Sequence, residues 1–367
     1  MNQGLRIAFF GSSLVSAYWN GAATYYRGIV RALYGRGHRV TFYEPDAYER
    51  QKHRDIADPD WAKVVVYSAE GTADAERCLE EARGSDLVVK ASGVGVLDEW
   101  LEARVLELQG PGTQVVFWDV DAPATLERVQ QNPQDAFRPL IPRYHLVLTY
   151  GGGQPVIDAY RALGAKACIP IYNALDPQTH HPVPPEPRFE ADLAFIGNRL
   201  PDREARVEEF FLRAAERLPE ARFLLGGNGW DGKPMPGNVT RLGHVYTRDH
   251  NALNCTPRAV LNVNRSSMAR FGFSPPTRVF EAAGAAACLI TDAWEGIELF
   301  LEPGREVLVA HSGDDVAEQL RALSVESSRR IGQAALKRVL SEHTYAHRAA
   351  EVESALGYVP SARNQVA

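Results

Sequence analysis

Two tandem α/β domains, each built on a parallel sheet, are what this sequence predicts. Short apolar runs alternate with helix-period stretches in two series, and a proline-rich break divides them. The length of 367 residues also exceeds what a single core usually fills.

The first series opens with LRIAFFG, from Leu5 to Gly11, an apolar run ending in glycine. Residues Ala22 to Gly35 follow with helical spacing at Tyr26, Ile29, Val30 and Leu33. GHRVTFYEPD, from Gly37 to Asp46, gives a helix stop and a second strand. KVVVYS from Lys63, DLVVKAS from Asp86, QVVFWD from Gln114 and HLVLTY from His145 continue the alternation. Such repetition implies right-handed crossovers and parallel pairing.

After Ile169, PIYNALDPQTHHPVPPEPRF carries five prolines beyond its first residue and little periodicity, which marks a linker. The second series runs through DLAFIGN from Asp192, a helix from about Asp202 to Leu218, RFLLGG from Arg222 and VTRLGHV from Val239. AVLNVN from Ala259, ACLITD from Ala287 and EVLVAH from Glu306 complete it. Residues 324–356 read as a long helical region broken near His343, with no apolar content for a third core. The expected organisation is a first domain over residues 1–172, a linker over 173–191 and a second domain over 192–342. A helix over 343–358 is expected to pack back on the first domain, and the tail beyond Gly357 to be disordered.

Composition bounds the function. The formal charge of −6 comes from 40 basic and 46 acidic residues without a basic stripe, which argues against nucleic acid as a partner. Cys78, Cys168, Cys255 and Cys288 are widely separated, so neither a zinc knuckle nor a disulfide framework is indicated, and reduced thiols in the cytoplasm are expected. The N-terminus lacks the pattern of a secretory signal, and no apolar run reaches the length of a membrane span. Composition carries no signature of oligomeric state.

In order and spacing, several motifs resemble the GT-B glycosyltransferases, and specifically the CgeB-like (spore-maturation type) family. In the first domain these are SAYWNGAATYYRGIVRALYGRGHRVTFYEPD and FWDVDAP, the latter resembling a W-x-x-D-x-P segment. IYNALDP resembles an Asn-Ala-x-Asp-Pro turn before the second domain, and FIGN, LGHV, NVNRSS and PPTRVFEAAGAAACLITD resemble donor-side motifs. The resemblance implies two Rossmann-like domains facing each other across a cleft. It implies a nucleotide-diphosphate sugar as donor substrate held mainly by the second, and an acceptor (glycan, protein or small molecule) held mainly by the first. It departs from the Glu-x7-Glu pair of many retaining GT-B enzymes: if Glu281 is the second member, Phe273 stands at the first.

Glycosyl transfer needs a stabilised leaving diphosphate, a placed acceptor and, for inversion, a base. Helix N-termini and arginines bind oxyanions without a metal, so no metal or other cofactor is expected. Candidates for the diphosphate are Gly197, Asn198 and Arg203 at the first turn of the second domain, Arg265 and Ser266 (with Ser267) after AVLNVN, and Arg278. Each arginine could instead form a surface ion pair. The LGHV loop, Gly243, His244 and Val245, would let backbone approach the nucleobase, with His244 stacking on it or serving only as a turn residue. Glu281 is a carboxylate beside small residues at a sheet crevice, suited to accept from both ribose hydroxyls.

For the base, Asp119 and Asp121 end the QVVFWD strand at a carboxyl edge, and one of them could equally be a helix cap. Asp121 matches the aspartate of the W-x-x-D-x-P segment and is the expected base. The loop Gly11 to Ser13 with Trp19, Asn20 and Gly21 is not a G-x-G-x-x-G fingerprint and has no acidic residue in a clear second-strand position beyond Glu44. It reads as an acceptor-side loop or an ordinary connection. Gly151 to Gly153 opens another helix, as a ligand loop or a tight turn. His180 and His181 read as linker residues, and His343 and His347 lack the glutamate of a metal motif. The competing readings are a GT-B epimerase acting on the sugar nucleotide, and a non-catalytic coat or scaffold protein.

Overall fold

The computed structural model describes residues 4–18 and 20–359. Trp19, assigned above to the first loop, and residues 360–367 of the tail lie outside them. Residues 4–172 together with 345–359 form one compact unit, and residues 173–344 form the other.

The first unit is a seven-stranded parallel sheet. Its strands are β1 (Arg6–Phe10), β2 (Arg39–Asp46), β3 (Lys63–Ser68), β4 (Leu87–Ala91), β5 (Gln114–Asp119), β6 (Val147–Thr149) and β7 (Cys168–Pro170), in the order β3-β2-β1-β4-β5-β6-β7. The first six are the expected strands. β7 is only three residues long and ends in proline, which is tolerated because it lies at the edge. Helices α1 (Ala23–Gly35), α2 (Ala73–Ala82), α3 (Asp98–Arg104), α4 (Ala122–Gln131) and α5 (Gly153–Ala162) make the crossovers. Strands covered on both faces read as continuous apolar runs, and Val88, Val89, Val115, Val116 and Phe117 are all fully buried.

The second unit has six parallel strands, β8 (Leu193–Ile196), β9 (Phe223–Gly226), β10 (Val239–Gly243), β11 (Ala259–Asn262), β12 (Leu289–Asp292) and β13 (Leu308–Ala310), in the order β10-β9-β8-β11-β12-β13. Both sheets therefore start in the middle and reverse direction once, between β1 and β4 and between β8 and β11. At such a switch the flanking loops part on opposite faces and open a crevice beyond the carboxyl ends of the strands.

The helices of this unit are α6 (Glu204–Val207), α7 (Arg213–Arg217), α8 (Thr247–Cys255), α9 (Ser266–Phe271), α10 (Thr277–Gly284), α11 (Gly313–Ala322) and α12 (Val325–Glu342). Between α6 and α7 a π turn over Glu208–Leu212 interrupts what the sequence presents as one helix from Asp202 to Leu218. α12 starts with a capping box, in which Ser324 and Ser327 satisfy each other's backbone N–H groups.

One stretch, read as a linker from its prolines, is attached differently from that reading. Residues 173–191 belong to the second unit: Asn173 is fully buried and donates from Nδ2 to the Pro275 carbonyl at 3.0 Å, and Leu175 N–H donates to His343 O at 2.8 Å. The last helix, α13 (Tyr345–Ala355), belongs to the first unit and packs on α1. The fit is close because α1 carries Gly28 there; a Cβ at that position would lie 2.2 Å from the Tyr345 ring.

Candidate functional site

The ends of β8 and β9 are bound together by glycine backbone. Gly197 N–H donates to Gly226 O at 2.9 Å and Gly227 N–H to Gly243 O at 2.7 Å, while the Trp230 indole donates to Gly197 O at 2.7 Å. Gly227 has φ +119, and a Cβ there would come within 2.3 Å of Gly197 O, so only glycine lets these turns meet. Asn198 Oδ1 accepts from Asn228 N–H at 2.9 Å, which fixes the turn after β8.

Beyond β11 the chain is held by a buried carboxylate. Asp292, at the end of β12, is fully buried and accepts from Asn264 N–H at 3.1 Å and from the Arg206 guanidinium at 2.5 Å. Burial pushes its pKa up, against the pull of Arg206. Asn262 Nδ2 donates to Asn264 Oδ1 at 3.1 Å, and Asn264 Nδ2 is buried without a partner.

These two turns, the β10 loop and the start of α10 enclose a cavity of about 300 Å³ at the β8–β11 switch. Of the residues singled out in the second domain, Gly197, Asn198, Arg203, His244, Val245, Arg265 and Arg278 line it. Gly243, Ser266 and Glu281 do not line it but adjoin it. Gly243 carries the β10 loop at φ +67, Ser266 N–H donates to Asp202 O at 2.8 Å, and Glu281 lies one turn beyond Arg278. Asn262, Asn264, His250 and Thr277 also line the cavity. In the sequence the asparagines are part of the AVLNVN strand, and no motif marks His250.

The cavity is strongly cationic. Arg203 is pushed below the ordinary guanidinium range first by burial and then by the positive charges of Arg265 and Arg278, and its Nε is buried without a hydrogen bond. Arg265 pairs with Asp202 at 2.6 Å and Arg278 approaches Glu281 at 3.8 Å. Asp202 and Glu281 offset part of this charge, and the repulsion that remains on Arg203 is relieved by a further anion in the concavity. The Glu281 side chain is 13% exposed; burial alone would raise its pKa, but Arg278, His180 and His250 outweigh that and hold it below the usual carboxylate range.

In the first unit, Asp119 and Asp121 have different surroundings. Asp119 is fully buried and accepts from Ser92 Oγ at 2.7 Å, Asp121 N–H at 3.0 Å, Thr125 Oγ1 at 3.1 Å and the Tyr160 hydroxyl. Asp121 is exposed and stands at the N-cap of α4, with its side chain making no capping bond. The Gly11–Ser13 loop is tied inward: Asn20 Nδ2 donates to Ser13 O at 2.8 Å, and Glu44 is fully buried, accepting from Ser13 Oγ and Leu14 N–H. Glu44 is thus occupied in holding that loop.

Residues 203–354 match the model of a family described as glycosyl transferase-like. No curated protein matches the chain by sequence. Several solved structures match it in fold. Anabaena Alr3699/HepE in complex with UDP-glucose is similar at a TM-score of 0.65 and 13% identity, over 96% of this chain and 99% of that one. Sucrose-phosphate synthase from Thermosynechococcus elongatus is similar at 0.68 and 14%, over 96% and 98%. An alpha-glucosyltransferase in complex with UDP-glucose and DNA containing an abasic site is similar at 0.70 and 10%, over 96% and 99%. The fold is that of the GT-B glycosyltransferases, and residues 203–354, most of the second unit together with α13 of the first, carry the glycosyl transferase-like sequence signature.

Proposed function

We propose that this chain is a glycosyltransferase that takes a UDP-sugar as donor and passes the sugar to an acceptor, and that its finer affinity is with the CgeB-like family. The observation that carries the reading is the cavity at the β8–β11 switch, where Arg203, Arg265 and Arg278 converge. A diphosphate supplies the anion that these charges require, and guanidinium forks bind its oxygens bidentately. As the sugar leaves, negative charge grows on that diphosphate, so the same groups stabilise the transition state more than the ground state. Arginine takes the place of a metal at this step.

Glu281, held ionised beside Arg278, accepts from the ribose hydroxyls, and the β10 loop with His244 and Val245 meets the base. The UDP-glucose complexes of two structural neighbours support a uridine donor. For transfer with inversion, the base is Asp121, exposed at the carboxyl end of β5, and Asp119 positions it through the Asp121 N–H bond. Thermal-shift and calorimetric titration of metal-free protein with UDP, GDP and dTDP tests the reading. A shift with UDP is expected, and no binding of any nucleoside diphosphate would refute it.

A further inference from the structure

At the edge of the cavity, which His250 lines, three side chains from separate parts of the second unit come together. His180 belongs to the proline-rich segment, His250 to α8 and Glu281 to α10, and one ligand atom from each lies within 4.8 Å of the others. From their juxtaposition we propose that His180, His250 and Glu281 form a binding site for one divalent transition-metal ion of the zinc class.

The chemistry of the donors fits. Two imidazoles and one carboxylate are a tripodal set for zinc, leaving a fourth position for water. His180 is 94% buried by its 6% exposure, and its Nε2 has no hydrogen-bond partner. An orphaned buried imidazole nitrogen is costly unless something accepts its lone pair or its proton. His250 meets the Val245 carbonyl through Nε2 at 3.3 Å, which makes that atom the N–H donor and leaves Nδ1 with its lone pair. Metal-binding histidines are commonly oriented by such a bond from the second ring nitrogen to a backbone carbonyl.

Burial lowers the pKa of both histidines, which keeps the neutral, ligating form at neutral pH. Bonds of roughly 2.0–2.1 Å require ligand atoms about 3.3 Å apart, so the widest pair closes by at most about 1.5 Å. His180 lies in a segment without regular secondary structure, where that adjustment is easiest. Arg278 beside Glu281 opposes a dication, so binding is expected to be weaker than in a closed structural zinc site. One carboxylate oxygen of Glu281 ligates the ion and the other stays free to accept from the ribose hydroxyls, and the ion takes no part in holding the diphosphate.

The probes are Zn2+ and Co2+ added to EDTA-treated, desalted full-length protein at about 10 µM. Calorimetry is expected to show one Zn2+ per chain, and Co2+ the intense visible absorption of a four-coordinate centre. His180→Ala and His250→Ala are each expected to lower affinity at least about tenfold, since one of three ligands is lost. His181→Ala, which removes the exposed neighbouring histidine, should leave it unchanged. Absence of stoichiometric binding to the wild type, or affinity indifferent to both His180→Ala and His250→Ala, would overturn the proposal. UDP binding is measured separately on metal-free protein, so failure of the metal site and failure of the glycosyltransferase reading are told apart.

Discussion

Arg36 and Glu353, 317 residues apart in sequence, meet in a two-pronged ion pair, Nε to Oε1 at 2.8 Å and Nη2 to Oε2 at 2.5 Å. The carboxylate also meets His38 Nε2 at 2.9 Å. The pair joins the last helix to the C-cap of α1, and Glu353 is 3% exposed.

Burial alone would raise the Glu353 pKa, but the bonds from Arg36 and His38 outweigh it and hold it below the usual range. Its contribution is therefore present above the unfolded-state value and lost as pH falls through the depressed folded one. Glu353→Gln is expected to cost about 2–3 kcal/mol at pH 7, less than for a wholly buried pair because Arg36 is 31% exposed. Urea unfolding at pH 7 and pH 4 should show that difference shrinking at the lower pH.

Arg203→Ala should weaken UDP binding by about 10- to 100-fold, the loss of a charge-assisted contact. Arg203→Lys keeps the charge without the fork and should fall between the two. Calorimetry with UDP reads both, and equal affinity in all three proteins would remove Arg203 from the diphosphate site.

Glu281→Ala should lower UDP affinity about tenfold or more while the melting temperature changes little. If its partner is the pentose, wild type should discriminate against 2′-deoxy-UDP and the variant should not. Undiminished discrimination in Glu281→Ala would assign those hydroxyls to another residue.

Asp121→Asn should leave UDP affinity as it is and reduce turnover by about 10²- to 10⁴-fold, the range for loss of a general base. Initial rates with a donor and a working acceptor, beside calorimetry with UDP, separate the two effects.

Glu102 titrates in the opposite sense to Glu353. Burial pushes its carboxyl up to about 7, against the pull of Lys90 and Arg128, and its Oε2 has no partner. A raised folded pKa favours the folded state below the unfolded value near 4.5, and that advantage is lost as pH climbs through about 7. Glu102→Gln should match wild type near pH 4, below the unfolded value, and exceed it at pH 8 by up to roughly 3 kcal/mol. Denaturant melts of the two proteins at both pH values isolate the effect of this one group.

The strands were legible because a sheet covered on both faces leaves unbroken apolar runs, as in DLVVKAS and QVVFWD. β7 was not, since three residues carry no period. The segment 173–191 presents prolines and polar residues like a free linker, yet Asn173, Ala174, Leu175 and His180 are buried. Burial without periodicity leaves no pattern along the chain. In the cavity, glycine turns and arginines were readable as types suited to phosphate. Asn262 and Asn264 were hidden inside AVLNVN, and their roles depend on Asp292, which β12 brings alongside. His180, His250 and Glu281 span 101 positions and adjoin only once the strands are ordered.

Because α13 completes the first unit, the chain cannot finish that unit in the order in which it is made. The stretch through Tyr172 leaves the ribosome with α1 still uncovered at Gly28, and all of residues 173–344 must follow before Tyr345 can settle there. At about 5–20 residues per second, that is a wait of roughly 9–34 s. During this interval the later half is free to mature on its own, while the earlier half depends on whatever shields its nascent apolar flank.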